Sequence, residues 1–430
     1  MTRDTIFALS SGAPPAAIGI IRISGPKAGE ALTALSGALP KPRTASLRTL
    51  KAANGPAAGD VLDTALVLWF PGPDTATGED LAELHCHGGR AVIGAVEAEL
   101  AAMDGLRPAQ AGEFTRRAFA NGQMDLAQAE ALADLLSAET ELQRQAAQAG
   151  FGGAISQLAK DWRKGVLLLS AQLEAVLDFS DEEDAADLPE SFFTEAKALA
   201  EEMALWLSNP PAERLRDGVR VVLAGPPNAG KSSLFNALLD DAAAITSAEA
   251  GTTRDAIERP IALSGVPLVL VDTAGLREEG AGAIEAIGIE RAQTQMDRAD
   301  IVLWLGAEGA GPEGAIDIQT KCDEAGVPTK AQTDYRVSAV TREGLAELEA
   351  GLVSNAKALL PKPGQGALNA RQGAMVAEAH TALFHVEQGQ DMLLIAESLR
   401  QARLSFDRLL GAASTEDMLD TLFGGFCIGK

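Results

Sequence analysis

The sequence is poor in cysteine and has no long apolar run. Its three cysteines, in 430 residues, lie far apart, so they do not form the disulfide framework of a small secreted protein. No apolar stretch approaches the roughly 20 residues that a membrane-spanning helix needs. The N-terminal stretch is too short and too broken by glycine and proline for a secretory signal. We therefore expect a cytoplasmic protein that works in a reducing compartment, with no membrane partner.

Positive charge is scarce as well. The chain has 36 lysines and arginines against 60 aspartates and glutamates, which gives a formal net charge of −24. Non-specific binding to nucleic acid depends on basic residues that release counterions from the phosphates. Overall charge therefore argues against a general nucleic-acid binder, and a nucleic-acid substrate would need a local basic patch or a basic partner.

Changes in composition along the chain predict four segments. Residues 1–118 mix β-like runs such as "AIGIIRIS" and "TALVLWF" with helical stretches, which is typical of an α+β domain. Residues 119–217 and 359–430 have the composition of helices. Between them, strands alternate with helices over residues 218–358, which predicts a doubly wound parallel sheet. The expected fold is multidomain, α/β plus α, with the α/β domain inserted between the two halves of a helical domain.

A glycine-rich loop opens the inserted segment. Gly225 to Ser232 reads "GPPNAGKS" and follows an apolar, strand-like run, which is the context that the G-x-x-x-x-G-K-[ST] motif requires. Backbone N–H groups of such a loop surround phosphates, and the helix that follows adds partial positive charge. Lys231 is expected to reach the β- and γ-phosphates, and Ser232 to ligate Mg²⁺. A chance glycine loop is the alternative that this context disfavours.

Three downstream motifs indicate that the nucleotide is GTP. "VDTAG" places Asp272 near the Mg²⁺ and Gly275 at the γ-phosphate, and "GTTRD" offers Thr253 as a second Mg²⁺ ligand. In "TKCD", the carboxylate of Asp323 can accept two N–H bonds from guanine, whereas adenine has no such paired donors. The residues expected to bind nucleotide are Asn228, Ala229, Gly230, Lys231, Ser232, Ser233, Asp272, Thr273, Ala274, Gly275, Thr320, Lys321 and Asp323.

Three features depart from the usual GTPase pattern. Thr320 stands where asparagine is usual, so an amide that braces the loop is lost. Leu276 stands where many signalling GTPases have a glutamine that orients the attacking water. The segment "GAEGAGPEGA", residues 306–315, is too short for the helix that normally covers the sheet. A parallel sheet left bare on one face is unusual, so another part of the chain is expected to cover it.

Several motifs resemble the tRNA-modification GTPases of the MnmE (TrmE) family, and the resemblance covers nearly the whole chain. Within the inserted segment they are "GPPNAGKSSLFNAL", "AGTTRD", "DTAGLRE" and "IGIERA". Outside it they are "GIIRISG", "GPDTATGEDLAELHCHGG", "GEFTRRAFANGQMDLAQAEALADLL" and the C-terminal "FCIGK". Because the second group is not generic to GTPases, it makes the resemblance specific.

The resemblance implies a homodimer whose GTPase domains meet face to face and in which potassium replaces an arginine finger. Asn228 matches the asparagine of the family that binds K⁺. The loop that completes the K⁺ oxygen shell corresponds to Ser247, Glu249 and Thr252. Glu285 matches the glutamate that orients the water indirectly, which would compensate for Leu276.

The resemblance also implies a folate site in residues 1–118 and at the C-terminus. The family binds a 5-formyltetrahydrofolate-type folate, and the matching positions are Arg22, Glu83, Gln123 and Lys430. Gln123 stands where many relatives have a basic residue, so it brings no charge. The ending "CIGK" does not fit a prenylation box. The resemblance instead implies that the thiol of Cys427 lies near the folate, which is a one-carbon donor.

The sequence leaves two functions open. The first is a potassium-stimulated GTPase that acts with an FAD-dependent partner of the MnmG type, in a heterotetramer, on carbon 5 of the wobble uridine of certain tRNAs. The second is a GTP-dependent binding switch, such as a ribosome-assembly GTPase, which the GTPase motifs alone would allow.

Overall fold

The computed structural model describes residues 4–53, 56, 58–178, 187–241, 243–244, 257–273, 293–324, 326–362, 366–412 and 416–430. The chain divides into two compact units. The first comprises Met1–Ala133 with Leu410–Lys430, and the second comprises Asp134–Leu409. This division into two units does not test the four segments predicted from composition, and their boundaries remain predictions. Within the described residues, no helix is both long and apolar enough to cross a membrane.

The first unit is built on a six-stranded sheet with the order β3-β4-β5-β2-β1-β6. Its neighbouring strands are antiparallel except for β1 and β6. The strands are Thr5–Leu9 (β1), Ile18–Ser24 (β2), Ser46–Lys51 (β3), Val61–Phe70 (β4), Leu81–His87 (β5) and Leu106–Pro108 (β6). The helices are Ala28–Ser36 (α1), Arg90–Ala101 (α2), Glu113–Ala120 (α3) and Leu126–Ser137 (α4).

Alternation along the strands separates an apolar face from a polar one, because successive side chains of a strand point to opposite sides. Phe7, Ile21, Ile23 and Leu84 pack in one core with residues of α1 and α2. Arg22 and Glu83 face each other across β2 and β5, and therefore lie on the opposite face.

Helices dominate the start and the end of the second unit. They are Glu141–Phe151 (α5), Ala154–Asp178 (α6), Glu190–Leu207 (α7) and Ala212–Asp217 (α8), followed after the second sheet by Ala370–Phe384 (α11) and Met392–Leu410 (α12). The ring of Trp162 on α6 lies 6.0 Å from that of Phe406 on α12, and Arg163 Nε lies 2.7 Å from Asp407 Oδ1. The helical segments that precede and follow the second sheet thus pack together.

The second sheet has seven strands in the order β13-β12-β11-β7-β10-β9-β8. Its strands are Val219–Ala224 (β7), Ala243–Ala244 (β8), Ile257–Leu263 (β9), Val266–Asp272 (β10), Ile301–Trp304 (β11), Ile316–Gln319 (β12) and Tyr335–Arg336 (β13). The five strands from β13 to β10 are parallel, and β9 and β8 extend the sheet antiparallel. Lys231–Asp241 (α9) and Leu345–Leu359 (α10) belong to the same part of the chain. The predicted fold class is confirmed, with a parallel sheet that has an antiparallel edge.

The short segment 306–315 folds around a tryptophan instead of forming a helix. Trp304 Nε1 donates to Ala307 O at 2.9 Å. An added Cβ would lie 2.4 Å from this indole at Gly306 and 2.7 Å from it at Gly311. The indole therefore lies against Gly306 and Gly311, beside a cavity of about 1200 Å³ that Trp304, Asp317 and Lys330 help to line.

Residues 410–430 complete the first unit. Glu416–Gly424 forms the last helix, α13, and Phe423 and Phe426 are buried with Ala129 of α4. Arg116 of α3 contacts Glu416 and Asp420 at 2.8 Å each. Gly112 has φ +64°, and a Cβ there would lie 2.2 Å from Phe423 O, so only glycine permits this approach.

Candidate functional site

The glycine-rich loop connects β7 to α9, as the motif predicts. Its backbone turns through left-handed conformations at Asn228, φ +60°, and at Gly230, φ +89°. Asparagine tolerates this region better than most residues, and glycine adopts it freely. The loop thereby leads directly into the N-terminus of an 11-residue helix, and the N–H groups at a helix N-terminus favour an anion.

Lys231 places its charge inside this loop. Its side chain is 6% exposed, and Nζ donates to Gly225 O at 2.9 Å and to Pro226 O at 2.8 Å. A buried ammonium requires such acceptors. The loop therefore combines a fixed cation with helix N–H groups, an arrangement suited to a polyphosphate.

Two oxygen-bearing side chains meet next to this lysine. Ser232 Oγ donates to Asp272 Oδ2 at 2.7 Å, and Asp272 is 2% exposed at the end of β10. Thr273 Oγ1 donates to Leu223 O at 2.8 Å and fixes the end of β10 to β7. A hydroxyl and a carboxylate are hard ligands that fit Mg²⁺ directly or through its water shell. The assignment of Ser232 and Asp272 to Mg²⁺ stays a prediction.

The "TKCD" loop follows β12 and contacts the glycine-rich loop. Thr320 Oγ1 donates to Ala229 O at 2.7 Å, so the hydroxyl supplies one brace despite the missing asparagine amide. Lys321 has φ +56°, and Asp323 is exposed two residues further on. Behind them, the buried Ser338 Oγ accepts from the backbone N–H groups of Val340 and Thr341. The strand ends thus bring the expected base-reading loop beside the expected phosphate loop.

The remaining predicted residues of the GTPase part lie outside the described residues. They are Ser247, Glu249, Thr252, Thr253, Ala274, Gly275, Leu276 and Glu285. Of the predicted potassium ligands, the structure describes Asn228 alone, whose side chain is exposed. The roles of this group stay predictions.

In the first unit, Arg22 and Glu83 form an ion pair on the polar face of the sheet. Arg22 donates to Glu83 Oε1 through Nε at 3.1 Å and through Nη2 at 2.9 Å. The Arg22 guanidinium also lies 5.9 Å from the centre of the Phe114 ring. Burial alone would raise the pKa of Glu83, but hydrogen bonding and the charge of Arg22 outweigh it and hold this pKa below its ordinary value. Glu83 is therefore an ionised acceptor at neutral pH.

The two histidines of "HCH" are paired with carboxylates. His85 Nε2 lies 3.2 Å from Glu83 Oε2, and His87 Nδ1 lies 2.7 Å from Asp63 Oδ1. Cys86 points to the opposite, apolar side, where burial raises the pKa of its thiol to about 12. Within the described residues, no group of three or more His, Cys, Asp or Glu side chains could hold a metal ion. The sequence did not reveal Asp63 as a partner of His87, because strand pairing brings them together from 24 positions apart.

Gln123 and Lys430 do not join the Arg22–Glu83 pair. Gln123 Nε2 donates to Pro73 O at 3.3 Å. Lys430 follows Gly429, where an added Cβ would lie 2.2 Å from Leu9 O, so the tail lies against the end of β1. Among the described residues, neither Gln123 nor Lys430 hydrogen-bonds to Arg22 or Glu83.

Beside the tail lies a mostly apolar cavity of about 720 Å³, and its lining includes Phe7, Leu9, Cys427 and Ile428. Cys427 itself is exposed. The C-terminal residues are thus docked against the sheet that carries the Arg22–Glu83 pair, and the thiol lies at the surface of that unit.

A network of ion pairs that the sequence did not reveal connects α3 to the sheet. Arg117 Nη2 lies 2.9 Å from Asp4 Oδ1, and Arg117 Nη1 lies 3.1 Å from Glu79 Oε2. Ser24 Oγ in turn donates to Glu79 Oε2 at 2.8 Å. Because Ser24 and Arg22 are on the same face of β2, this network fixes the surroundings of the Arg22–Glu83 pair.

Two family sequence models and many known proteins match this chain. The sequence model of the family described as GTP-binding protein TrmE N-terminus matches residues 5–123, and that of the MnmE helical domain matches residues 126–427. A tRNA modification GTPase MnmE from Erythrobacter litoralis is 59% identical over 427 residues, covering 99% of this chain and 100% of the relative. One from Novosphingobium aromaticivorans is 57% identical over 438 residues, with the same coverage.

A solved structure, the G domain of the FeoB iron transporter of T. maritima, is 28% identical, covers 32% of this chain and 98% of its own, and has a TM-score of 0.23. The family matches span most of the sequence, and the relatives match along their whole length. The chain therefore belongs to the MnmE family of tRNA modification GTPases.

Proposed function

We propose that this GTPase is stimulated by potassium and works in the cytoplasm as a homodimer with an FAD-dependent partner of the MnmG type. The resulting heterotetramer modifies carbon 5 of the wobble uridine of certain tRNAs, giving the carboxymethylaminomethyl type of product. The one-carbon unit comes from a 5-formyltetrahydrofolate-type folate. The observation that carries this proposal is the ionised Glu83 paired with Arg22 in the first unit of a chain whose second unit holds the Lys231 loop.

In the GTPase part, each residue has a proposed task. Lys231 binds the β- and γ-phosphates of GTP, Ser232 and Thr253 bind Mg²⁺, and Asp323 reads guanine. Mg²⁺ and K⁺ supply positive charge against the phosphates, where negative charge develops during hydrolysis. Oxygen atoms of Asn228 and of the loop containing Ser247, Glu249 and Thr252 hold K⁺. Glu285 orients the attacking water indirectly.

In the first unit, Arg22 and Glu83 bind the folate. The ionised Glu83 suits the neighbouring N–H donors of a pterin ring, because one carboxylate accepts two parallel hydrogen bonds. Arg22 suits a carboxylate, because the planar guanidinium presents donors in a geometry that matches one. Lys430 contacts the folate from the docked tail, and Gln123 contributes a neutral hydrogen bond.

GTP hydrolysis and one-carbon chemistry belong to different sites in this proposal. Hydrolysis therefore acts by changing conformation, which requires different affinities in the two nucleotide states. The net charge of −24 makes a basic partner the natural route by which tRNA reaches the chain.

Deletion of the gene, followed by mass analysis of wobble nucleosides, tests this function. We expect the carboxymethylaminomethyl group to disappear from the affected tRNAs, and a plasmid copy of the gene to restore it. Unchanged wobble nucleosides would rule the proposal out. The alternative of a ribosome-assembly switch gains no support from the full-length relatives, which are named tRNA modification GTPases.

A further inference from the structure

A buried glutamine immediately precedes the "TKCD" loop. Gln319 is the last residue of β12 and is 6% exposed. Its Nε2 donates to Thr320 O at 3.0 Å, and its Oε1 accepts from the backbone N–H of Lys330 at 2.9 Å. Both ends of one amide are therefore used, and each bond fixes a backbone group of a loop.

The second of these loops is itself held by side chains. Lys330 Nζ donates to Ile318 O at 2.8 Å and contacts the Asp317 carboxylate. The carboxylate of Glu308 accepts from the backbone N–H groups of Ala331 and Gln332, at 2.8 and 3.0 Å. Within the described part of 305–334, no helix separates the strands, so these hydrogen bonds set the positions of the loops.

Thr320 cannot provide the whole support of the base-reading loop. A threonine hydroxyl has one hydrogen to donate, and this hydrogen is directed to Ala229 O. An asparagine side chain would bring a second amide hydrogen. In this chain the neighbouring residue, Gln319, supplies an amide hydrogen to the loop instead, through the bond from its Nε2 to Thr320 O.

We propose that Gln319 is a positioning residue for guanine recognition, holding the loop that carries Asp323 in place of the missing asparagine amide. This inference rests on the proposed role of Asp323. Removal of the Gln319 amide takes from Thr320 O and from the Lys330 N–H the partner that each has in the described part of the chain. The loop then shifts to reach water, and Asp323 moves with it, while the contacts of Lys231 with the glycine-rich loop are unchanged.

The ratio of inosine diphosphate to guanosine diphosphate dissociation constants tests the proposal. Inosine diphosphate lacks the 2-amino group, so this ratio measures how well a carboxylate reads the guanine edge. In the full-length chain with Mg²⁺, titration calorimetry should show that wild type favours guanosine diphosphate. In Gln319→Leu, the ratio should fall by about tenfold, the equivalent of one charge-assisted hydrogen bond.

Two further variants separate positioning from stability. Gln319→Glu keeps the shape and the acceptor but loses the donor to Thr320 O, and should lower the ratio similarly even if Gln319→Leu folds poorly. Gln332→Leu changes an exposed glutamine of the same loop and should keep the wild-type ratio. Weaker binding of both nucleotides at an unchanged ratio in the Gln319 variants would overturn the proposal. A wild-type protein that does not distinguish the nucleotides would instead overturn guanine reading by Asp323, and the Gln319 proposal with it.

Discussion

Among the proposed potassium ligands, Asn228 lies within the described residues, so its side-chain oxygen allows a test of the potassium proposal. Asn228→Ala should bring the ratio of GTP hydrolysis rates in K⁺ and in Na⁺ close to one while leaving GTP affinity mostly intact. The reason is that an oxygen near the developing charge is lost, whereas Lys231 keeps its contacts with the loop. Steady-state hydrolysis at saturating GTP, in matched K⁺ and Na⁺ buffers, measures this ratio.

The backbone at this position requires a control. Asn228 has φ +60°, and alanine is strained there by about 1–2 kcal/mol. Asn228→Gly also removes the oxygen but relieves this strain, so both variants should lose the preference for K⁺. If Asn228→Gly still hydrolyses GTP faster in K⁺ than in Na⁺, the side chain is not a potassium ligand.

Single residues could be predicted where a short stretch of sequence fixes its own geometry. The positions of Lys231 and Ser232 follow from a strand, a glycine loop and a helix within a few residues. Gln319 could not be assigned a role from the sequence, because its importance depends on a backbone N–H eleven positions away. The Asp63–His87 pair could not be predicted for the same reason, because strand pairing brings together two residues that are 24 positions apart.

Among the secondary-structure elements, the segment around Trp304 has the clearest test. Gly306→Ala would place a Cβ 2.4 Å from Trp304 Cζ2. Because the Trp304 indole also lies close to Gly311, it must shift against that backbone to make room, and we expect the second unit to lose about 1–3 kcal/mol, as in other overpacked sites. Thermal unfolding followed by tryptophan fluorescence measures the change.

Gly373→Ala is the matched control for this substitution. Gly373 lies within α11, and an added Cβ meets nothing within 4 Å. Alanine there should stabilise the same unit by roughly 0.5–1 kcal/mol, because it favours the helix. If Gly306→Ala behaves like Gly373→Ala, the indole does not pack on the segment that replaces the helix.

Elements with a strong internal pattern were predictable, and their ends were less so. The stretch from Met124 to Ala149 has helical composition throughout, yet α4 ends at Ser137 and α5 begins at Glu141. Thr140 and Gln143 form a capping box at the start of α5, a sequence signal for a new helix. The segment 306–315 shows the other limit, since its length excludes a covering helix without showing that the Trp304 indole lies against Gly306 and Gly311.

For the whole molecule, the grouping of residues 410–430 with residues 4–133 is the feature that composition least reveals. Residues 359–430 have helical composition throughout. Only contacts between residues far apart in the sequence show that residues 410–430 belong to the first unit and the residues before them to the second. The rings of Phe119 and Phe423 lie 6.1 Å apart, and Ala111 pairs with Ile428 in a β-bridge. The chain thus leaves its first unit and returns to it at the end.

Phe423 is the residue on which this return most depends, since it is 2% exposed and lies against both Phe119 and Phe426. Phe423→Ala should destabilise the first unit by about 3 kcal/mol or more, as is usual for buried phenylalanines. Hydrogen exchange read by mass spectrometry should accelerate in β1 and α3, and stay at wild-type rates in β7 and β10. Phe384→Ala removes an aromatic side chain that is 63% exposed and should change exchange little in either unit. Equal exchange in the two variants would mean that the C-terminal residues do not stabilise the unit against which they pack, and that the docked tail cannot hold Lys430 at a folate site.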